Sequence, residues 1–349
     1  MGHEGAGMSE PDRVLVTGGT GFVGAHLVSL LVKRGERVRV LTRAGSDRRL
    51  LEGLDLEWAV GDLTDIESLD RAVRGCRRVF HCAADYRLWS KDPSSLYRIN
   101  VEGSKALFES CRDHDVERIV YTSSVAALAL PEGGRSSNES SQAQLKKVVG
   151  HYKRSKFLAQ EVALEEARRG LPIVIVNPST PIGPGDIKPT ATGKIIVDFL
   201  NGKMPAYVDT GLNLVPVEDV AYGHILAAEK GEVGRLYILG HLNMSLKEIL
   251  EMLASITGLS APRVQIPYAV AWLAGAIDTF VEGSLLRREP QVPLEGVRMS
   301  RKKMYFDAER ARSELGFEPG SVKQALQRAV EWFCSHGYAP YPRGERSLR

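Results

Sequence analysis

The sequence predicts an α/β fold, a doubly wound parallel sheet joined to a smaller, mainly helical domain. Three observations carry this. Short β-branched runs alternate with amphipathic helical segments through the front half, and those segments are long enough to serve as crossovers. After Asn177 the texture turns Pro-rich and then helical. With 349 residues, 43% of them hydrophobic, the chain has room for one large domain or two moderate ones.

The elements follow in order. Strands are predicted at 13–17, 37–42, 56–60, 78–82, 118–122 and 172–176, with 236–239 returning to the sheet edge. The first helix, 23–34, sets Val23, Leu27, Val28, Leu30 and Leu31 in one stripe and closes at Gly35. Further helices are predicted at 66–74, ended by Gly75, at 101–115, at 151–169, ended by Gly170, and at 218–230. Residues 177–193 hold four of the 17 prolines and read as a loop-rich exit from the sheet. From 245 onward the pattern is helical, with a second Pro-rich patch at 289–293. The expected organisation is an extension at 1–11, a sheet domain at 12–180 that regains about 212–240, a second domain from 181–211 and 241–335, and a tail at 336–349.

Composition narrows the function. Lys and Arg number 46 against 43 Asp and Glu, a net +3, too even for a dedicated nucleic-acid binder. Cys76, Cys82, Cys111 and Cys334 have neither CxxC nor metal-ligand spacing, so no metal is expected and the thiols read as buried in a reducing compartment. The first twelve residues lack an apolar signal core, and no apolar run reaches the ~18 residues that span a bilayer. The expectation is a cytoplasmic protein of enzyme size.

The first strand runs into Gly18-Gly19-Thr20-Gly21-Phe22-Val23-Gly24 and then a helix. This satisfies GxGxxG at the first βα turn, where a backbone without side chains approaches a pyrophosphate and a helix N-terminus supplies free amides. The sheet domain is therefore read as Rossmann-type, with Gly18, Gly21, Phe22, Val23 and Gly24 at the dinucleotide. About 20 residues on, NAD binders usually carry an acid for the ribose. Here the strand ends in Thr42-Arg43, and a guanidinium suits the 2′-phosphate of NADP, which is preferred over NAD. The alternative is a solvated loop arginine. Asp62 and Leu63 follow the third strand where a carboxylate meets the adenine edge, whereas Asp65 reads as a helix cap.

Tyr152-Lys153-Arg154-Ser155-Lys156 is a YxxxK motif that puts Tyr152 and Lys156 on one helix face. A tyrosine with a pKa of about 10 is a poor acid or base at neutral pH, and a neighbouring ammonium favours its phenolate. Upstream, Tyr121-Thr122-Ser123-Ser124 ends the fifth strand at the carboxyl edge of the sheet, where a serine can donate to a substrate oxygen. Tyr152 as a packing residue is the alternative.

At these residues the chain resembles the extended short-chain dehydrogenase/reductase family, the NAD-dependent epimerase/dehydratase group. TGGTGFVG at 17–24, HCAA at 81–84, SS at 123–124, YKRSK at 152–156 and NPS at 177–179 fall in that family's order. Three longer stretches, HCAADYRLWSKDP (81–93), NPSTPIGPGDIKPT (177–190) and DTGLNLVPVEDVAYGHILA (209–227), are most similar to its hopanoid-associated sugar epimerase and dihydroflavonol reductase-like branch. The resemblance implies Ser124 and Tyr152 on the substrate oxygen, with Ser123 the runner-up, and Lys156 behind them. It also implies Ala83, Pro178 and Ser179 near the nicotinamide and Asn100 supporting the site from below. The implied activity is hydride transfer at a carbinol or keto carbon of a sugar-like group, with simple ketone reduction as the alternative and a non-catalytic dinucleotide sensor as a remote one. The substrate is expected to be a small molecule or lipid-linked, and a homodimer stays open. Cys82 departs from the HxAA pattern and reads as a small buried side chain.

On the substrate side, Tyr86, Arg87 and Trp89 follow the fourth strand, either bordering a ligand or packing the loop. His224 reads as a satisfied core histidine. Residues 265–286 form an apolar stretch near Arg287-Arg288 and Arg301-Lys302-Lys303. A core or subunit-interface helix is preferred there, with peripheral membrane contact as the alternative.

Overall fold

The computed structural model describes residues 13–87, 89–131, 134–141, 143–280, 282, 288 and 294–341. The expected extension, the 289–293 patch and most of the tail lie outside the described residues. The elements run β1 (Arg13–Thr17), α1 (Phe22–Lys33), β2 (Arg37–Thr42), β3 (Glu57–Val60), α2 (Ile66–Val73), β4 (Cys76–His81), α3 (Ser94–Tyr97), α4 (Gly103–Asp113), β5 (Arg118–Thr122), α5 (His151–Arg168) and β6 (Ile173–Pro178). They continue with β7 (Thr180–Ile182), α6 (Ala191–Leu200), β8 (Ala206–Tyr207), β9 (Gly211–Pro216), α7 (Val217–Lys230), β10 (Leu236–Leu239), β11 (Leu242–Ser245), α8 (Leu246–Thr257), β12 (Val264–Gln265), α9 (Tyr268–Asp278), α10 (Leu294–Ser300) and α11 (Val322–Ser335).

Seven strands form one sheet in the order β10-β6-β5-β4-β1-β2-β3, every neighbour parallel. The central strands are buried on both faces, which is why they read as unbroken runs of Val, Ile and Leu. α1 and α7 cover one face around Leu27, Leu31, Val220 and Ile225. The other face is covered by α2, α4 and α5 around Leu69, Leu107, Phe108 and Ala159. Strand order reverses between β1 and β4, so a crevice opens at the carboxyl ends of those strands. Register then lines up Thr17, His81 and Tyr121 side by side across β1, β4 and β5 at that edge.

Two local features differ from the sequence expectation. The helix predicted from 101 begins at Ser94, just after Pro93, and passes through a π turn at Arg98–Glu102 before α4. A π turn inserts an extra residue into the helical ladder, which the 3.6-residue periodicity does not reveal. The exit predicted as loop contains β7, which joins β9 and β11 in a small three-stranded sheet. At three residues, one of them Pro181, β7 is too short to announce itself.

A separate core outside the large sheet gathers Ile196, Phe199, Leu250, Leu253, Leu326 and Phe333 from α6, α8 and α11. The start of α8 is fixed by a capping box between Ser245 and Glu248, its end by Gly258 at φ +70°. By contrast, α9 buries only Ala271 and Gly275, so it is not a core helix of this chain.

Candidate active site

The β1–α1 turn is a cradle that side chains would fill. Gly18 has φ +68°, and a Cβ there would meet the Ala83 backbone nitrogen at 2.6 Å. A Cβ on Gly24 would meet the Gly18 carbonyl oxygen at 2.2 Å. α1 has no side-chain cap at Gly21 and no acidic residue in its first turn, so its leading amides and positive dipole end face the crevice uncontested. These features fit the pyrophosphate of a dinucleotide.

Beneath the cradle runs a buried polar chain. The Ala83 amide donates to Thr17 Oγ1 (3.2 Å), and Thr17 Oγ1 lies 2.7 Å from His81 Nδ1. His81 Nε2 lies 2.8 Å from Ser104 Oγ, which donates to the Asn100 carbonyl at 2.7 Å. Since the Ser104 proton is committed to Asn100, His81 must donate from Nε2 and accept at Nδ1 from the Thr17 hydroxyl. Burial holds the His81 pKa down to about 3, so the ring is neutral and this tautomer persists. The Asn100 side chain carries the chain onward, accepting from the Asp85 amide and donating to the Asp85 carbonyl and to Ser155 Oγ. Ser155 in turn donates to the carbonyl of Tyr152 at 2.8 Å.

Tyr152 and Lys156 project from the first turns of α5, against the end of β5. Burial raises the Tyr152 phenol pKa, while a hydrogen bond with the Ser124 side chain opposes the rise. Lys156 is buried, its Nζ donating to the Thr122 carbonyl at 2.8 Å and to Tyr121 Oη at 3.5 Å. Burial lowers its pKa to about 8. The two serines part company here. Ser123 is buried and its hydroxyl donates to Gln160 Oε1 at 2.7 Å, a contact shared with Asn177 Nδ2. Ser124 faces Tyr152 instead.

Thr122 is a second junction. Its hydroxyl lies 2.9 Å from His224 Nε2 and 3.3 Å from Cys82 Sγ. His224 Nδ1 donates to the Val220 carbonyl at 2.7 Å, so Nε2 accepts from Thr122. Burial keeps His224 neutral, with a pKa of about 4, and pushes the Cys82 thiol up to about 11.

Around the crevice, Arg43 is exposed and its guanidinium makes no hydrogen bond or ion pair among the described residues. The neighbouring arginines are taken, Arg48 lying 4.1 Å over Trp58 and Arg49 pairing with Asp47. Burial pushes the Asp62 carboxyl up, but two bonds from Thr64 to Oδ1, with Arg43 and Arg98 nearby, bring it below the ordinary value. Asp65, not Asp62, caps α2. Leu63 is buried in the sheet core. Pro178 ends β6, and the Ser179 amide donates to the Leu239 carbonyl at 3.1 Å. Arg87 is paired with Asp85, while Tyr86 is half exposed. Nothing local in the sequence marks Thr17, His81, Ser104, Ser155, Thr122 or Gln160 as partners in these bonds, although the HCAA and YTSS stretches contain His81 and Thr122.

Residues 14–240 match the model of the NAD dependent epimerase/dehydratase family. A Synechocystis sp. protein that provisionally carries the name dihydroflavonol 4-reductase is 50% identical over 333 residues, covering 94% of this chain and 96% of that protein. Sterol demethylase protein B of Methylococcus capsulatus is 36% identical over 325 residues, 93% and 98% of the two chains. Among solved structures, a nucleoside-diphosphate-sugar epimerase from Pseudomonas aeruginosa superposes with a TM-score of 0.77 at 28% identity, covering 94% of this chain and 99% of that one. The chain belongs to the NAD dependent epimerase/dehydratase family and is an oxidoreductase of the extended short-chain dehydrogenase type.

The polar chain makes a direct prediction. Ser104→Ala leaves the His81 Nε2–H without an acceptor in a fully buried position, which costs about 1–3 kcal/mol. Urea unfolding should show that loss, and a variant as stable as the parent would refute the assigned tautomer and its chain.

Proposed function

We propose that this family member is an NADP-preferring reductase that passes one hydride to a ketone carbon of a sugar-like or lipid-linked ring substrate. The observation that carries the reading is Arg43, where an NAD-keeping enzyme would carry an acid. It is an exposed guanidinium just after β2 that makes no hydrogen bond or ion pair among the described residues and has Asp62 nearby. An exposed cation there suits the 2′-phosphate of a cofactor that is exchanged on each turnover. Relatives bearing reductase and sterol-processing names favour the same regime.

A bound nicotinamide dinucleotide supplies the hydride. The glycine loop with Phe22 and Val23 would hold its pyrophosphate, Arg43 the 2′-phosphate, and Asp62 and Leu63 the adenine edge. Ala83, Pro178 and Ser179 would border the nicotinamide, and Lys156 with Tyr152 the adjoining ribose. In this assignment residues 12–180 and about 212–240 serve the cofactor, and 181–211 with 241–335 the substrate. Tyr152 hands its phenolic proton to the substrate oxygen while the Ser124 hydroxyl donates to the same oxygen and fixes its place. The Lys156 ammonium, oriented by the Thr122 carbonyl, lowers the cost of the phenolate that remains. Asn100, through Ser155, holds the turn of α5 that presents Tyr152.

A second reading, favoured by the likeness to the Pseudomonas aeruginosa nucleoside-diphosphate-sugar epimerase, is inversion at a sugar carbon, with the hopanoid-linked sugars that the sequence resemblance implies among the candidate substrates. That reaction transfers the hydride twice and consumes no net cofactor. Incubation with candidate ketones and nucleotide sugars separates the two: stoichiometric NADPH loss supports the reductase, and inversion without loss supports the epimerase.

Tyr152→Phe should lower turnover by roughly 10²–10⁴ with dinucleotide affinity little changed, because only the proton carrier is lost. Near-parental turnover would remove Tyr152 from the mechanism. Arg43→Ala should erase most of a preference for NADP over NAD in a binding titration; equal affinities in the parent protein would overturn the cofactor assignment. Lys156 is charged below its pKa of about 8 and neutral above it. Dinucleotide affinity without substrate should therefore fall as pH rises through about 8, and a flat profile there would show that the ammonium is not a contact.

A further inference from the structure

We propose that α9 is a docking face for an anionic lipid surface. The helix reads YAVAWLAGAID and keeps only Ala271 and Gly275 buried. Val270, Trp272, Leu273 and Ile277 are 53%, 41%, 57% and 56% exposed, and Phe280 just beyond the helix is 60% exposed. At 100° per residue these side chains fall within about 160° of the helix circumference, opposite Ala271 and Gly275. α10 packs against another part of α9, and Val297 of α10 is buried. Scattered single apolar residues are ordinary on a protein surface, but a contiguous face of this breadth marks a contact. No described helix is long and apolar enough to cross a membrane, so an occupied α9 lies in the plane of an interface.

Charge selects the occupant. Arg263, Arg288, Arg298, Arg301 and Lys302 stand exposed in the segments before and after the helix, and the Arg301 guanidinium lies 6.0 Å from the Tyr268 ring. The helix itself carries a single acid, Asp278, and Glu282 and Glu295 follow it, so the basic residues outnumber the acids among the described residues of this segment. A second copy docked by two-fold symmetry would set this cationic rim against itself. Anionic headgroups would pair with it, each basic side chain near the surface adding about fivefold to partition. Trp272 and Tyr268 then sit at headgroup depth, where amphipathic rings are favoured. The inference is independent of the reaction proposed above, since none of these residues is in the catalytic group.

Vesicle sedimentation tests it, using the full chain with phosphatidylcholine vesicles and with vesicles of equal parts phosphatidylcholine and phosphatidylglycerol. The expected result is at least about tenfold stronger partition onto the anionic vesicles, weakened by salt. A blue shift in tryptophan fluorescence on binding should disappear in Trp272→Phe. The double variant Leu273→Glu with Ile277→Glu should fall to the neutral-vesicle level at an unchanged thermal midpoint. Should that variant misfold, Arg301→Glu with Lys302→Glu, which leaves the apolar face intact, should weaken anionic binding by about tenfold or more. Equal binding to both vesicles, or full binding by the charge-reversed variant, overturns the proposal. So does a dimer in sedimentation velocity that the Leu273/Ile277 double variant splits, which would assign the face to a second copy.

Discussion

The close approach of the β1–α1 turn to the end of β4 is the constraint on which the rest of the site depends. At Gly18 the two backbones leave no room for a Cβ, and the Thr17 hydroxyl holds them together by accepting the Ala83 amide. That same hydroxyl donates to His81, from which Ser104, Asn100 and Ser155 lead to the turn of α5 carrying Tyr152. Each group in this line is buried or half-buried, and His81, Ser104 and Asn100 are fully committed. A partly broken network would strand donors or acceptors away from water, so the line holds as a unit. The separation between the glycine loop and Tyr152 is thereby set by side chains in the interior.

A second brace comes from the opposite layer. His224 on α7 fixes the Thr122 hydroxyl, and the Thr122 carbonyl takes the Lys156 ammonium. α5 covers one face of the sheet and α7 the other, so β5 transmits position between them. Cys82, beside the Thr122 hydroxyl, has its thiol pushed well above neutrality by burial and serves as a small filler at the junction.

The large sheet was legible because its central strands are buried on both faces, and unbroken apolar runs are the direct trace of that burial. The glycine loop and the Tyr152–Lys156 pair were legible because their geometry is local, set by a turn and by one helical repeat. What escaped was set by partners far away in sequence. His81 meets Thr17 across 64 positions, and the choice between Ser123 and Ser124 turns on Gln160, 37 positions on. The π turn around Asn100 and the three-residue β7 escaped for another reason: neither is long enough to impose a period. α9 stays open between core, subunit interface and membrane contact in the sequence because an apolar stretch has one signature for all three, and only its small buried share sets the core reading aside.

The order of strands also bears on how the chain is made. β6 lies next to the edge, and the partner that covers it, β10, is encoded beyond β7, α6, β8, β9 and α7. A nascent chain that has delivered β1 to β6 has a parallel sheet whose β6 flank is still unpaired, and every residue of that flank strand belongs to the final interior. Such an edge is a template for pairing with another chain. It is closed only when translation has passed Leu239, so the protein's most vulnerable interval during synthesis is the stretch between those two strands.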